Sequence, residues 1–185
     1  MNEIKATSIT RETLPMLVMM ALGGTLAGLF LSAARSNLDL FPGLLVLVPA
    51  MQNLRGSISG SLASRLSTAL HRGTVHPSIF GNPELPLYAV ASLGISATMS
   101  LIVGLLAFLF CLISGIDSLG LPGMITVSLF VGVSAGTVHL CLNIVVSIVS
   151  YRRGLDPDNI AIPSLAIFGD IVTMVAFLLF VRAVV

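Results

Sequence analysis

The stretch Leu87 to Ile113, LYAVASLGISATMSLIVGLLAFLFCLI, decides the class of this chain, because it runs from end to end without a charged residue. A bilayer core of ~30 Å is crossed by about 20 helical residues, so this run is long enough to span one. Four further apolar segments flank it, at about Leu14 to Ala34, Leu40 to Leu70, Leu121 to Tyr151 and Ile160 to Val184. The expected fold is therefore an all-α integral membrane domain of five transmembrane helices. No polar stretch between the segments is long enough to fold separately, so residues 1–185 read as one domain.

Composition agrees with this reading. Of 185 residues 56% are hydrophobic and 9% charged, and mean hydropathy is +1.04, whereas soluble domains are about a quarter charged. The second and fourth segments exceed a simple span. Pro42, Gly43 and Pro49 predict a break, a strong tilt or an extension into water near the start of the second, and the fourth is expected to overrun the bilayer. The N-terminal residues Met1 to Thr13 lack the short apolar core and small-residue cleavage site of a removable signal, so the first segment is expected to stay in the membrane.

Lys and Arg accumulate on the cytoplasmic side of membrane proteins. With the N-terminus inside, Lys5, Arg11, Arg72, Arg152 and Arg153 are cytoplasmic and Arg65 lies near that side, while Arg35 and Arg182 fall outside. A multi-pass protein of the cell membrane, N-in and C-out, is the expectation. Net charge is only +1 and no basic cluster carries interleaved aromatics, so nucleic acid is not an expected partner. No phosphate-binding glycine loop, GxSxG or HExxH is present, and an enzyme is not expected. Cys111 and Cys141 sit in apolar segments without metal or redox spacing and read as packing residues.

Asp170 lies about ten residues into the last segment, the only acid deep inside any span. A charge there costs at least ~2.5 kcal/mol even on insertion scales, so it marks a bundle interior or a water-filled path. Handling of a cation is the leading reading, and an ion pair with Arg55 is the alternative. Asn159, Pro163, Ala166, Asp170 and Thr173 recur at spacings of three and four and share a helix face that could line a pathway. In the second segment Gly56, Gly60, Ser64 and Ser67 stack on one side. Either this stripe serves only close helix packing, or it and the neighbouring Ser57 add hydroxyls and carbonyls to a hydrated ion's path. Gly132, Gly136, His139, Asn143, Ser147 and Ser150 form a comparable stripe in the fourth segment. For His139 a hydrogen bond to a neighbouring helix stands beside contact with an ion. Arg55 is expected to orient the structure.

Two motifs carry a family resemblance: Pro49-Ala50-Met51-Gln52-Asn53-Leu54-Arg55-Gly56 followed by Leu62 to Ala69, and Gly154-Leu155-Asp156-Pro157-Asp158-Asn159 with Ile162-Pro163 and Gly169-Asp170. In these the chain resembles the membrane domain of MgtE-type magnesium transporters and the related animal solute carriers of family 41. The resemblance implies five helices per copy and a homodimer with its pore on the two-fold axis between second and fifth helices. It further implies that Asp170 and its symmetry mate bind a hydrated Mg2+, with a backbone carbonyl from Ala166. Ser57 stands where many relatives have Asn. No residues match the family's cytoplasmic N and CBS domains, so the chain reads as a stand-alone membrane domain; Asp156 and Asp158 at the cytoplasmic mouth then become the candidates for gating.

Mg2+ dehydrates reluctantly, and a wide ring of few carboxylates and carbonyls suits it. With so few buried acids a proton relay is poorly supplied, which favours a channel-like or uniport path. A carrier for Zn2+, Co2+, Mn2+ or Ca2+ is the alternative, though soft ligands are scarce; a non-transporting assembly subunit is another.

Overall fold

A helix is the one structure in which a single apolar run satisfies its own backbone in lipid, and the five apolar segments follow that rule. The computed structural model describes residues 6–33, 41–79 and 81–184, and for residues 6–13, 16, 33, 158, 159, 183 and 184 the backbone alone. The helices are α1 (Ala6–Ala33), α2 (Gly43–His71), α3 (Leu85–Ser114), α4 (Gly120–Arg152) and α5 (Pro157–Val184). Lys5, Ala34, Arg35 and Leu40 lie outside the described residues, as do the side chains of Arg11, Asp158 and Asn159. Among the described residues, three helical stretches are long and apolar enough to cross a membrane: α3, α4 and Ile160–Arg182 of α5. α1 contributes the shorter apolar stretch Leu17–Ser32, and α2 is diluted by Gln52, Asn53, Arg55, Arg65 and its serines.

The expected break near the start of α2 does not occur. Pro49 lies inside a continuous helix of 29 residues. Proline removes one donor and crowds one carbonyl, a defect that neighbouring helices absorb in membrane proteins. Instead the start of α2 is pinned: the Gly43 N–H donates to Asp117 O at 2.9 Å, and a Cβ on Gly43 would come within 2.8 Å of Ser118. α4 runs as one helix of 33 residues, about 50 Å long. Gly115, at φ 67°, stops α3 in the left-handed conformation that favours glycine, its N–H bonded to Cys111 O.

α2 and α4 form the centre, in contact with each other and with both α3 and α5, while α1 packs against α5. At one end all five helices meet in an apolar cluster that includes Leu47 and Met51 of α2, Val127 and Val131 of α4, Met174 and Phe177 of α5, Ala107 of α3 and Ala27 of α1. At the other end Leu66 and Leu70, Val75 of the α2–α3 connection, Leu85 and Ile148 form a second cluster. That connection is folded by Asn82, whose side chain bonds both the N–H and the carbonyl of His76. It is tied to α4 by Arg152 Nε donating to Pro77 O.

Helix approach is set by small residues. A Cβ on Gly104 would collide with Ser128, one on Gly132 with Ser100, and one on Gly23 would lie 2.8 Å from Ile167 Cγ2. Such contacts replace the hydrophobic drive that is missing between helices in lipid. A Cβ added to Gly56 or Gly60 would have nothing within 4 Å. Gly132→Leu should therefore lower stability in detergent by about 1–3 kcal/mol or more through overpacking, while Gly56→Ala should leave the single chain unaffected, as read by thermal unfolding.

Candidate functional site

Between the two apolar clusters the bundle carries a buried polar layer. It is built from Arg55 and Ser59 of α2, Ser92, Ser96 and Ser100 of α3, His139, Asn143 and Ser147 of α4, and Thr173 of α5, all buried. Arg55 is 2% exposed. Its Nη1 donates to Ser96 Oγ at 3.3 Å, and the guanidinium fits against the bare Cα of Gly136, where a Cβ would stand 2.5 Å from Nη1. The alternative ion pair with Asp170 does not form. Among the described residues Arg55 Nε and Nη2 have no hydrogen-bond partner.

His139 Nδ1 and Ser59 Oγ are hydrogen-bonded at 2.9 Å. One turn on, Asn143 Nδ2 donates to Ser59 O at 2.7 Å, and Ser147 Oγ donates to Asn143 Oδ1 at 3.3 Å. The imidazole lies directly on the backbone of Gly169, where a Cβ would clash with Cε1. His139 thus binds α4 to α2 and sits against α5 beside Asp170. The expected hydrogen bond to a neighbouring helix is the one to Ser59. Gly132, Gly136, His139, Asn143, Ser147 and Ser150 are all buried, so the α4 stripe works inward.

The α2 stripe works outward. Gly56, Ser57 and Ser64 are exposed and Gly60 is half-exposed, while Ser67 is buried. Asn53, Ser61 and Thr68 extend the same open face. The Ser57 and Thr68 hydroxyls donate back to Asn53 O and Ser64 O, which flattens the surface and leaves it polar. On α5, Pro163, Ala166 and Asp170 are half-buried, whereas Thr173 is turned into the chain with its hydroxyl unpartnered among the described residues. Asp156 is exposed in the α4–α5 connection. Asn159 and Asp158 lie on the first turn of α5, their side chains outside the described residues. Among the described residues no three His, Cys, Asp or Glu converge as a metal cluster.

Sequence reasoning missed Ser96, the hydroxyl that meets Arg55. The signal was present in Ser92, Ser96, Ser100 and Gly104, a four-residue repeat of small residues that is buried along α3.

A family model described as MgtE, divalent cation transporter, matches residues 48–180. Solute carrier family 41 member 2 of Xenopus laevis is 30% identical over 161 residues, 82% of this chain and 28% of that protein. The human member 2 is 30% identical over 135 residues, 70% of this chain and 23% of that protein. Member 3 of Rattus norvegicus is 31% identical over 137 residues, 71% of this chain and 29% of that protein. The chain thus spans less than a third of the length of these relatives.

Because Asp170 is not paired with Arg55, Asp170→Asn should change thermal stability by less than ~1 kcal/mol, where breaking a buried ion pair costs ~3–5 kcal/mol. His139→Ala, which removes the link from α4 to Ser59, should lower stability by about 1–3 kcal/mol; unfolding of the two variants in detergent checks the contrast.

Proposed function

The chain belongs to the MgtE family of divalent cation transporters, and from that premise we propose that it carries a divalent cation, Mg2+ first, across the cell membrane as a homodimer. The observation that supports this most is the open polar face of α2 together with the half-buried Asp170 of α5, the helix packed against it, in a bundle whose other outward surfaces are largely apolar. Lipid is a poor neighbour for exposed Asn, Ser and an acid. A second copy related by two-fold symmetry turns the same surface into an enclosed, wettable path.

In this reading Gly56, Ser57, Gly60 and Ser64 line the path from α2, and Asn159, Pro163 and Ala166 line it from α5, with Thr173 behind them. Two Asp170 carboxylates bring a charge of −2 opposite a +2 ion. They hold it through its water shell, as befits an ion that sheds water reluctantly, and the Ala166 carbonyl faces the same shell. One chain supplies one such carboxylate; the site is completed by the partner. Arg55 and His139 stand behind the wall as supports, and Asp156 and Asp158 stand at one mouth. The N-in orientation belongs to the same proposal. Transport of another divalent ion by this arrangement would appear in the same flux assay run across a cation panel.

In proteoliposomes, Asp170→Asn should reduce Mg2+ uptake at least about tenfold, the loss that follows when ~1.4 kcal/mol of stabilisation along the path is removed, while leaving the dimer intact by mass measurement. Asp170→Glu should retain uptake with altered preference among divalent ions. Undiminished Mg2+ uptake by the Asn variant would overturn the assignment. Gly60→Leu should shift the protein toward monomer at equal concentration, and a stable, active wild-type monomer in detergent would exclude the dimeric path.

A further inference from the structure

A second feature of α2 adjoins its polar face and shares Ser57 and Ser64 with it at the edge. Between α2 and α3 runs an open groove of about 570 Å3, walled by Leu54, Ile58 and Leu62 on one side, with Ser57 and Ser61 among them, and by Leu87, Ile95 and Met99 on the other. At Arg65 and Tyr88 it continues into a polar recess of about 300 Å3 formed with Ser64, Thr68, Arg72 and Thr74. We propose that this compound groove binds one anionic phospholipid, its acyl chain along the α2–α3 wall and its phosphate between Arg65 and Arg72.

Length and charge both fit. The helix from Leu54 to Arg65 measures about 16 Å, half of a ~30 Å hydrocarbon core, so the apolar part spans one leaflet. Arg72 caps the C-terminus of α2, and the recess sits at the interfacial end of the groove, where a headgroup lies. The Thr68 and Thr74 hydroxyls already donate to the Ser64 and Ala69 carbonyls, so the two exposed guanidiniums, beside the Ser64 and Tyr88 hydroxyls, are the charged donors that line the recess. Glu84 lines the groove on the α3 side, one carboxylate against two guanidiniums. The mouth remains positive, favouring a headgroup with net negative charge over a zwitterion that brings its own cation. The inference rests on the membrane placement of the chain and not on which ion it carries.

Native mass spectrometry of the detergent-purified protein, titrated with equal amounts of phosphatidylglycerol and phosphatidylcholine, tests it. Phosphatidylglycerol adducts should exceed phosphatidylcholine adducts by about fivefold or more, since a basic residue at a membrane surface contributes about that factor. The double variant Arg65→Gln, Arg72→Gln should bring the two lipids level. Ile95→Trp, which fills the apolar part without touching a charge, should reduce both. Arg153→Gln, an exposed arginine that lines neither part of the groove, should leave the preference intact. Equal adducts on the wild type, a preference that survives the double variant, or a cross-link between copies from Ile95→Cys that places a second chain in the groove would each overturn the proposal.

Discussion

The buried guanidinium of Arg55 is the constraint on which the rest of the bundle depends. A buried charge is costly unless polar groups surround it, so the helix that carries it must be enclosed by protein. α2 is enclosed on its inner side by α3, α4 and α5, and the enclosure requires helices closer than ordinary side chains allow. Gly136 makes room for the guanidinium, Gly132 for Ser100 and Gly169 for the imidazole of His139. The same missing Cβ atoms let neutral groups meet: His139 reaches Ser59, and Asn143 reaches the Ser59 carbonyl. Polar contacts of this kind specify which helix faces which, where hydrophobic burial between helices in lipid cannot.

Enclosing the inner face of α2 leaves its outer face free for another use. Gly56, Ser57, Gly60 and Ser64 contribute little to packing within the chain, and a Cβ on either glycine would meet open space. A helix polar on both sides, one side buried and the other open, is unsuited to a lipid boundary. Under the proposed dimer the open side is a pathway wall, and the half-buried Asp170 lies on the helix that flanks it. Rigidity behind the wall then matters for selection, because a hydrated ion is recognised by the size of the ring as much as by its charge. The Ser59–His139–Gly169 stack holds α5 to α2 at the residue before Asp170 and so fixes where the carboxylate starts.

Much of this was legible in the sequence because the signals were periodic. The uncharged run Leu87 to Ile113 became α3, and the stripe from Gly132 to Ser150 became the inward face of α4. Three features were not legible, each for a physical reason. Pro42, Gly43 and Pro49 suggested a break, a strong tilt or an extension into water; the break does not occur, because a proline costs only one donor, a loss that neighbouring helices absorb. Charge matching suggested Asp170 for Arg55, whereas the contact made is with a neutral hydroxyl, Ser96, whose role depends on a helix pairing the sequence does not display. Thr173 shares a spacing with Asp170, but helix crossing turns it inward while Asp170 stays half-exposed. Periodicity assigns a face; the neighbours decide whether that face is open.

The central claim is that the Asp170-bearing faces of two copies meet across a common axis. Cysteine placed at position 170, with Cys141 changed to Ser, and treated in membranes with a short bifunctional thiol reagent tests this most directly. A covalent dimer is expected from position 170 and none from position 168, where Phe168 is 56% exposed on the other side of α5. Cross-linking from position 168 alone, or from neither position in preparations that unfold thermally like the unsubstituted protein, would contradict it.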